Sequence, residues 1–349
     1  MLVGGWGCAK KTARQDIYNQ PANNGNAGSQ TVQPDQKTST VGKILPNTTE
    51  VKTYNNLVYA RAGNEELKLD LYAPADVSQK WPVIVWIHGG GWIEGTKTSC
   101  IPEQFVGRGY VVACVDYRLA SQGGAGGCKQ DHLFPAQIHD VKAAVRWLRK
   151  NASQYNIDAN NFSAVGDSSG GHLASLLGVT NGVASLQGAE NLGYSDAVQA
   201  VADWFGPVDV RKEPPKLVFT DNPCEKSLDY LNQKYGGEAT PYFYWTRAWG
   251  LFLGGSLTDP AIVKKAGEAS PLSYLDKNDP PFLVMHGEND GMVPVNQSEM
   301  FVRELKQAGI DVTFVKSPFF GHGFGAPGGK LDNNFFKPTV DFFDKYLKK

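Results

Sequence analysis

The stretch Val165-Gly166-Asp167-Ser168-Ser169-Gly170-Gly171-His172 has the form strand end, G-x-S-x-G, helix start. Apolar residues crowd the positions before it, as in a buried strand, and recur at helical spacing after it. A glycine two residues either side of the serine lets the chain turn sharply and hold the hydroxyl above a sheet. The pattern predicts that Ser168 is a nucleophile, although a chance G-x-S-x-G would leave it a plain helix cap.

A second glycine run, His88-Gly89-Gly90-Gly91-Trp92, follows the apolar segment Pro82 to Ile87. A segment that is apolar on both faces is typical of a central strand covered by helices on both sides. Three glycines allow bare backbone amides to approach a substrate, where a Cβ would obstruct them. The turn at Ser168 similarly aims the Ser169 amide and the positive end of a helix at a forming oxyanion.

The length and composition of the chain indicate a globular protein. The chain has 349 residues, of which 41% are hydrophobic, so it is long enough for one large or two ordinary globular cores. The 34 Lys and Arg residues nearly balance the 35 Asp and Glu residues, so nucleic acid is not an expected partner. No apolar run approaches the roughly 18 residues that a transmembrane helix needs, so no integral membrane segment is expected.

Residues 1–50 differ from the rest of the chain, because a polar run rich in Asn, Gln, Thr and Ser follows Cys8. We expect this segment to be a disordered tail or tether. It is compatible with a truncated secretory leader, with a lipoprotein whose acylated residue is Cys8, although Trp6 fits such a signal poorly, or with an N-terminus that carries no targeting information. An extracytoplasmic location is the expectation and a cytoplasmic one the alternative. Residues 51–349 should form the catalytic domain.

From Val51 onward, strand and helix patterns alternate, which predicts an α/β fold with a mainly parallel sheet between helices. Such sheets bind ligands at the carboxyl ends of their strands. The expected strands are Tyr54 to Arg61 and Leu67 to Tyr72 as an antiparallel pair, then Pro82 to Ile87, Val111 to Val115, the run into Ser168, Val198 to Phe205, Pro281 to Met285, and Val312 to Lys316. Helices are expected near Pro135 to Lys150, after Ser168, from Val295 to Ala308, and from Phe335 to Leu347.

An acid and a base follow two of these strands. Asp290 comes after the strand-ending His286-Gly287, and His322 follows the Val312 to Lys316 strand. In folds that carry a G-x-S-x-G turn of this kind, the catalytic residues follow along the chain in the same order, serine, acid and histidine. Other carboxylates near Asp290 lack that position after a His-Gly strand end; they are Asp276, Asp279 and Glu288.

Five motifs together make the chain resemble the α/β-hydrolase superfamily, from about Tyr54 to Lys349. It is most similar to the hormone-sensitive-lipase-like esterases and to bacterial feruloyl and acetyl-xylan esterases. The motifs are His88-Gly89-Gly90-Gly91-Trp92, Asp116-Tyr117-Arg118-Leu119, the Gly166 to His172 elbow, His286-Gly287-x-x-Asp290 with Val293-Pro294, and Gly321-His322-Gly323-Phe324. The resemblance implies Ser168 as nucleophile, Asp290 as acid and His322 as base, with oxyanion donors at the amides of Gly90, Gly91 and Ser169.

The expected function is that of a serine carboxylesterase for acyl or aryl esters, and the resemblance and the aromatic content favour the esters that decorate plant polysaccharides. The reaction is expected to proceed in two steps, without a cofactor. A neutral His322 would accept the proton of Ser168, and water would then release the acyl group. Hydrolysis should therefore fall as the pH drops through about 6 to 7. The same triad would also serve an amide or formamide hydrolase, similar to kynurenine formamidases or peptidases. A binding protein without turnover is the alternative from another class.

The roles of several other residues can also be considered from the sequence. Trp92 would either line an acyl pocket or pack beneath its loop. The histidines at 88 and 286 are expected to be structural, and the others lack the H-E-x-x-H of a zinc helix, so no metal is expected. Asp116 and Arg118 are expected to form a structural ion pair.

The segment 207–275 exceeds the length of one crossover and is expected to contain a cap over the site. Its aromatic residues would form the cap's own core or face the cleft and stack on a sugar ring or aromatic acyl group. The five cysteines cannot all pair. Cys114 is expected to be a buried thiol, and Cys100 with Cys128 is the expected disulfide if the protein is extracytoplasmic.

Overall fold

The computed structural model of the chain describes residues 50–120, 132–211, 248–324 and 333–348, together with the backbone of Ser39–Val41. The strands are Ser39–Val41 (β1), Val51–Ala62 (β2), Glu65–Pro74 (β3), Trp81–Ile87 (β4), Val111–Val115 (β5), Ile157–Asp167 (β6), Ala200–Trp204 (β7), Phe282–Gly287 (β8) and Val312–Ser317 (β9). The helices are Glu103–Val106 (α1), Ala136–Lys150 (α2), Ser169–Val179 (α3), Pro260–Glu268 (α4), Asn296–Gln307 (α5) and Asn333–Leu347 (α6). Residues 248–253 are also helical.

These strands form one sheet in the order β1-β2-β3-β5-β4-β6-β7-β8-β9. The pairs β1 with β2, β2 with β3, and β3 with β5 are antiparallel. Every pair from β5 to β9 is parallel. The predicted antiparallel opening followed by a parallel sheet is therefore confirmed. The carboxyl ends of β4, β6, β8 and β9 consequently lie along one edge of the sheet.

The central strand β4 shows why its sequence is continuously apolar. Val83, Val85 and Ile87 enter one core, which α2 and α3 cover with residues such as Ile138 and Leu173. The alternate residues, Ile84 and Trp86, enter a second core together with α6 residues such as Phe336 and Phe343. Side chains of a strand alternate between faces, so a strand covered on both sides needs apolar residues at every position.

The structure corrects the cysteine prediction. Cys100 pairs with Cys114, with their Cα atoms 5.9 Å apart, so Cys114 is a disulfide partner and not a free thiol. Cys114 lies within β5, and Cys100 ends the short helical turn Lys97–Ser99. The two residues are close because that turn folds back against the strand, which the spacing of cysteines in the sequence does not reveal. Cys128 lies outside the described residues.

Two further findings concern the predicted N-terminal tail and the predicted cap. β1 lies inside the segment 1–50 that was expected to be a tail, because a strand joins a sheet through its backbone and needs no apolar run. Most of the expected cap, residues 212–247, lies outside the described residues. Among the residues that the structure does describe, no helix is long and apolar enough to span a membrane.

Candidate active site

Ser168 occupies the turn between β6 and α3 in a conformation that a serine rarely adopts. Its φ of 53° and ψ of −121° place it in the left-handed half of the Ramachandran plot. The amide of Ser168 donates to the carbonyl of Trp204, at 2.8 Å, which holds the strained residue against the end of β7. Strain of this kind persists where the surrounding structure imposes it, most often at functional sites.

The glycines of this turn allow α3 to lie directly against the sheet. A Cβ on Gly170 would overlap the carbonyl oxygen of Ile87, in β4, and a Cβ on Gly166 would overlap the backbone of Gly170. The contacted atoms belong to the backbone and cannot rotate away. The predicted reason for the G-x-S-x-G spacing, a tight strand-to-helix turn, is thus visible as close backbone contacts.

Ser168, His322 and Asp290 form one hydrogen-bonded chain. The Nε2 atom of His322 lies 3.0 Å from the Oγ of Ser168. Its Nδ1 atom lies 2.8 Å from Oδ2 of Asp290. Asp290 follows β8, and His322 begins a helical turn after β9. The structure therefore brings together the three residues that the sequence suggested, at distances suited to proton transfer from serine to imidazole.

Asp290 is held as a carboxylate by several donors. Its Oδ1 atom accepts from the amides of Met292 and Val293, each at 2.8 Å. Oδ2 faces both His322 and the Nε2 atom of His286, which is 3.3 Å away. Burial raises the pKa of Asp290, but the contacts with His286 and His322 outweigh it and hold that pKa well below its usual range. The acid therefore stays ionised beside the imidazole.

The other carboxylates near Asp290 in sequence do not meet His322. Asp276 and Asp279 form a turn before β8, in which the amide of Asp276 donates to the Asp279 carboxylate at 2.8 Å. Glu288 instead forms an ion pair with Lys316 at 3.1 Å. Asp276 and Asp279 lie before the start of β8, whereas Asp290 follows its end. Glu288 is paired with Lys316 instead of His322.

The glycine loop after β4 lies beside the nucleophile turn. Gly90 and Gly91 have φ values of 111° and 60°, which side chains disfavour. In the described part of the chain, the amides of Gly90, Gly91 and Ser169 donate no backbone hydrogen bond. The amide of Gly89 donates to Oδ1 of Asp167 at 3.2 Å and so links the loop to the turn. Burial raises the pKa of Asp167 to about 6, against the opposing effects of His322 and the Gly89 amide.

Trp92, which follows the glycines, has no exposed surface. Its ring stacks on Phe252 with centroids 4.3 Å apart, and its Nε1 donates to Nδ1 of His172 at 3.2 Å. The Nε2 atom of His172 in turn lies 2.7 Å from the carbonyl of Ala269. Burial lowers the pKa of His172 to about 4, in keeping with a neutral ring. This packing anchors the end of the glycine loop to α3 and to the segment before β8.

The aromatic residues of the 207–275 segment are mostly outside the described residues. Of the three that are described, Trp249 and Phe252 are buried in the same core as Trp92, and Tyr274 packs against that core partly buried. They form neither a separate cap core nor an exposed stacking surface. Sequence reasoning could not place them because their partners lie more than 70 residues away along the chain.

The predicted ion pair between Asp116 and Arg118 is wrong. Arg118 makes a two-pronged contact with Asp140 of α2, in which its Nη2 lies 2.6 Å from Oδ1. Asp116 accepts from the amide of Lys97 at 2.6 Å. Both residues lie beyond the end of β5, and each side chain finds its partner in a different element, Asp116 in the turn at Lys97 and Arg118 in α2. Both contacts are structural supports around the glycine loop.

His88 and His286 are buried beside the site without touching Ser168. His88 stacks on Tyr117, and burial lowers its pKa to about 4. Among the described residues, no group of three or more histidine, cysteine or carboxylate side chains is arranged to hold a metal ion.

Phe205 is a residue that sequence reasoning missed. It follows β7 with a φ of 46°, which is unusual for a bulky side chain, and its ring lies 4.8 Å from the ring of His322. Its amide donates to the carbonyl of Met285 at 2.8 Å. The only signal in the sequence was its place at a strand end beside Gly206, and glycine is common after many strands.

Comparison with known proteins shows that the chain is similar to esterases. Residues 69–305 match the family model described as BD-FAE. The chain is 30% identical over 277 residues to Esterase LipQ of Mycobacterium tuberculosis, covering 77% of this chain and 57% of that protein. It is 28% identical over 263 residues to Esterase LipC of the same organism, covering 73% of this chain and 56% of LipC. The chain thus spans a little over half the length of these two relatives.

Among solved structures, the chain is similar to a truncated form of carbohydrate esterase from gut microbiota. The two share a TM-score of 0.68 and 29% sequence identity. The match covers 85% of this chain and 96% of that chain. The likeness therefore extends over nearly all of that esterase.

Proposed function

The chain belongs to the BD-FAE family, and from that premise we propose that it hydrolyses carboxylic esters through an acyl-enzyme formed on Ser168. The observation that carries the proposal is the chain of hydrogen bonds from Ser168 through His322 to Asp290. A serine hydroxyl is a weak nucleophile until an imidazole accepts its proton, and the carboxylate orients that imidazole and stabilises its charged form.

In the first step, Oγ of Ser168 attacks the ester carbonyl while Nε2 of His322 takes the hydroxyl proton. The carbonyl oxygen becomes an oxyanion, for which the amides of Gly90, Gly91 and Ser169 are the proposed donors. The intermediate then collapses, and the leaving alcohol receives the proton from His322. In the second step, His322 deprotonates a water molecule that attacks the acyl-enzyme, which returns the free acid and Ser168.

The finer part of the proposal is that the alcohol belongs to a carbohydrate, with an acetyl or feruloyl group as the acyl part. Support comes from the similarity to the gut-microbiota carbohydrate esterase and from the resemblance to feruloyl and acetyl-xylan esterases. Neither an amide substrate nor a role in binding without turnover has an observation of its own in its favour, and the complete triad argues against the latter.

We also propose an extracytoplasmic location. The disulfide between Cys100 and Cys114 supports it, because disulfides persist in oxidising compartments and are rare in the reducing cytosol. Whether Cys8 is acylated is a separate question, which mass spectrometry of the protein from its native host would answer.

The test uses two neighbouring serines. Ser168→Ala removes the proposed nucleophile, whereas Ser169→Ala keeps the backbone amide that is the proposed oxyanion donor. Hydrolysis of p-nitrophenyl acetate, methyl ferulate and acetylated xylan should fall at least about a thousandfold in the first variant and remain in the second. Equal activity of Ser168→Ala and the unaltered protein would refute the mechanism. Turnover of p-nitrophenyl acetate alone would keep the esterase and reject the carbohydrate substrate.

A further inference from the structure

His286 is the buried titratable side chain nearest to the triad that the mechanism above does not use. It has no exposed surface and is the next-to-last residue of β8. Its Nε2 atom lies 2.9 Å from the carbonyl of Val293 and 3.3 Å from Oδ2 of Asp290. Its Nδ1 atom lies 2.7 Å from the hydroxyl of Ser298 in α5. Both ring nitrogens are therefore engaged.

These contacts fix the tautomer of the ring. The two oxygens at Nε2 belong to a carbonyl and a carboxylate, which only accept hydrogen bonds, so Nε2 must carry a proton. In the neutral ring Nδ1 carries no proton and accepts from the Ser298 hydroxyl. A neutral ring in this orientation places the positive end of an N–H bond beside Oδ2 of Asp290.

His286 reaches Asp290 by a second route through Val293. The carbonyl of Val293 accepts from His286, and the amide of the same residue donates to Oδ1 of Asp290. The two contacts hold Val293 from both of its peptide groups, one through His286 and the other through Asp290. His286 thus acts on both carboxylate oxygens, directly on Oδ2 and through a backbone amide on Oδ1.

We propose that His286, oriented by Ser298, is a positioning residue that shares the charge of the catalytic carboxylate and keeps it facing His322. The inference rests on the proposed ester hydrolysis and extends its machinery from three side chains to five. Around His286 lie the charged groups Asp290, Asp203 of β7 and Lys316, its register partner in β9, whose ammonium pairs with Glu288 and Glu299; α5 presents the neutral Ser298 hydroxyl.

The direction of the expected effect follows from charge sharing. A carboxylate that loses donors presents more of its negative charge to His322, which favours the imidazolium over the neutral base. The acidic limb of the kcat/KM profile should therefore move to higher pH. The loss of a hydrogen bond to a charged group should also lower kcat/KM at neutral pH by about tenfold.

The experiment compares two substitutions of His286 in the full chain. His286→Phe keeps a ring of similar shape but removes the donor, whereas His286→Gln retains an N–H near the place of Nε2. With p-nitrophenyl acetate as substrate and active sites counted by a phosphonate inhibitor, we expect the acidic limb of His286→Phe to rise by about 0.5 to 1 pH unit. His286→Gln should stay close to the unaltered enzyme. An unchanged or lowered midpoint in a folded His286→Phe protein would overturn the proposal.

If His286→Phe does not fold, a second pair of variants tests whether His286 and Ser298 position the carboxylate of Asp290. Ser298→Ala removes the donor to His286, and Ser163→Ala removes an equally buried hydroxyl that donates to the carbonyl of Val83, away from the triad. Both should lose similar stability, but only Ser298→Ala should move the acidic limb upward. Identical profiles would make Ser298 and His286 structural only. If the unaltered enzyme showed no Ser168-dependent hydrolysis, the proposed function would fail before this comparison began.

Discussion

Asp167 accepts a hydrogen bond from the amide of Gly89 and lies close to His322. Burial raises its pKa from 3.8 to about 6. Between these two values the folded protein binds more protons at this site than the unfolded chain does. The contribution of Asp167 to stability is therefore fully present below about pH 4 and is lost as the pH rises through about 6.

Asp167→Asn should remove this dependence, because an asparagine does not ionise and its side-chain oxygen still accepts from Gly89. The unfolding free energy of the variant, relative to the unaltered protein, should rise between pH 4 and pH 7. Urea unfolding at several pH values measures that difference. A difference that is the same at every pH would show that the carboxylate ionises as readily in the folded protein as in the unfolded chain.

At the same scale, the sequence predicted residues whose role is set by their place at a strand end. Ser168, Asp290 and His322 each follow a strand and each carry a recognisable neighbouring glycine. Partners chosen by packing across the fold could not be predicted. Arg118 meets Asp140 from a helix 22 residues away, and Trp92 meets Phe252 from a segment 160 residues away. Only the folded chain brings such pairs together.

At the scale of elements, α3 lies against the central strand β4 with no room for a side chain at Gly170. A Cβ at Gly170 would overlap backbone atoms of β4, so Gly170→Ala would force the helix away from the central strand. We expect a loss of at least about 2 to 3 kcal/mol in unfolding free energy, or failure to fold, since overpacking against rigid backbone is costly. Thermal melting and urea unfolding provide the measurement.

Gly107→Ala is the matched control for that substitution. Gly107 ends α1 with a φ of −62°, and the nearest atom to a Cβ there would be 3.7 Å away. An alanine fits this conformation, so the variant should match the unaltered protein or gain up to about 1 kcal/mol. Similar losses in both variants would mean that α3 has room to move.

How well each strand or helix could be predicted from the sequence depends on how much of it is buried. β4 is covered on both faces and was found from its continuous apolar run, and α2 from its apolar face. β1 was missed because an edge strand of three residues pairs through its backbone and leaves no pattern in the side chains. The pairing of Cys114 was missed because its partner lies in an irregular turn.

For the whole molecule, the sheet order and the likeness to a carbohydrate esterase structure confirm the predicted α/β-hydrolase fold. Residues Lys37–Lys349 form one compact unit that contains the entire triad. We therefore expect a protein lacking residues 1–36 to keep its kcat/KM for p-nitrophenyl acetate within about twofold. Loss of activity in a folded truncated protein would show that the N-terminal residues take part in the site.

A longer deletion separates a tail from the sheet itself. Removal of residues 1–49 also removes β1, whose backbone pairs with β2 from Ser39 with Thr53 to Val41 with Val51. The longer deletion should lower the melting temperature below that of the shorter one and leave the catalytic constants similar. Equal melting temperatures would mean that β1 adds nothing to the stability of the sheet.

The position of β1 has a practical consequence. It forms one edge of the sheet, and β2, β3, β5 and β4 separate it from the strand that ends at Ser168. At a strand spacing of about 4.8 Å, the two strands are about 24 Å apart. If the protein were coupled to a solid support through a residue before Ser39, mechanical force would act on the edge strand β1. The strands that precede Ser168, Asp290 and His322 would not bear that force. Enzyme immobilised in this way should keep its active serine open to substrates that are themselves insoluble.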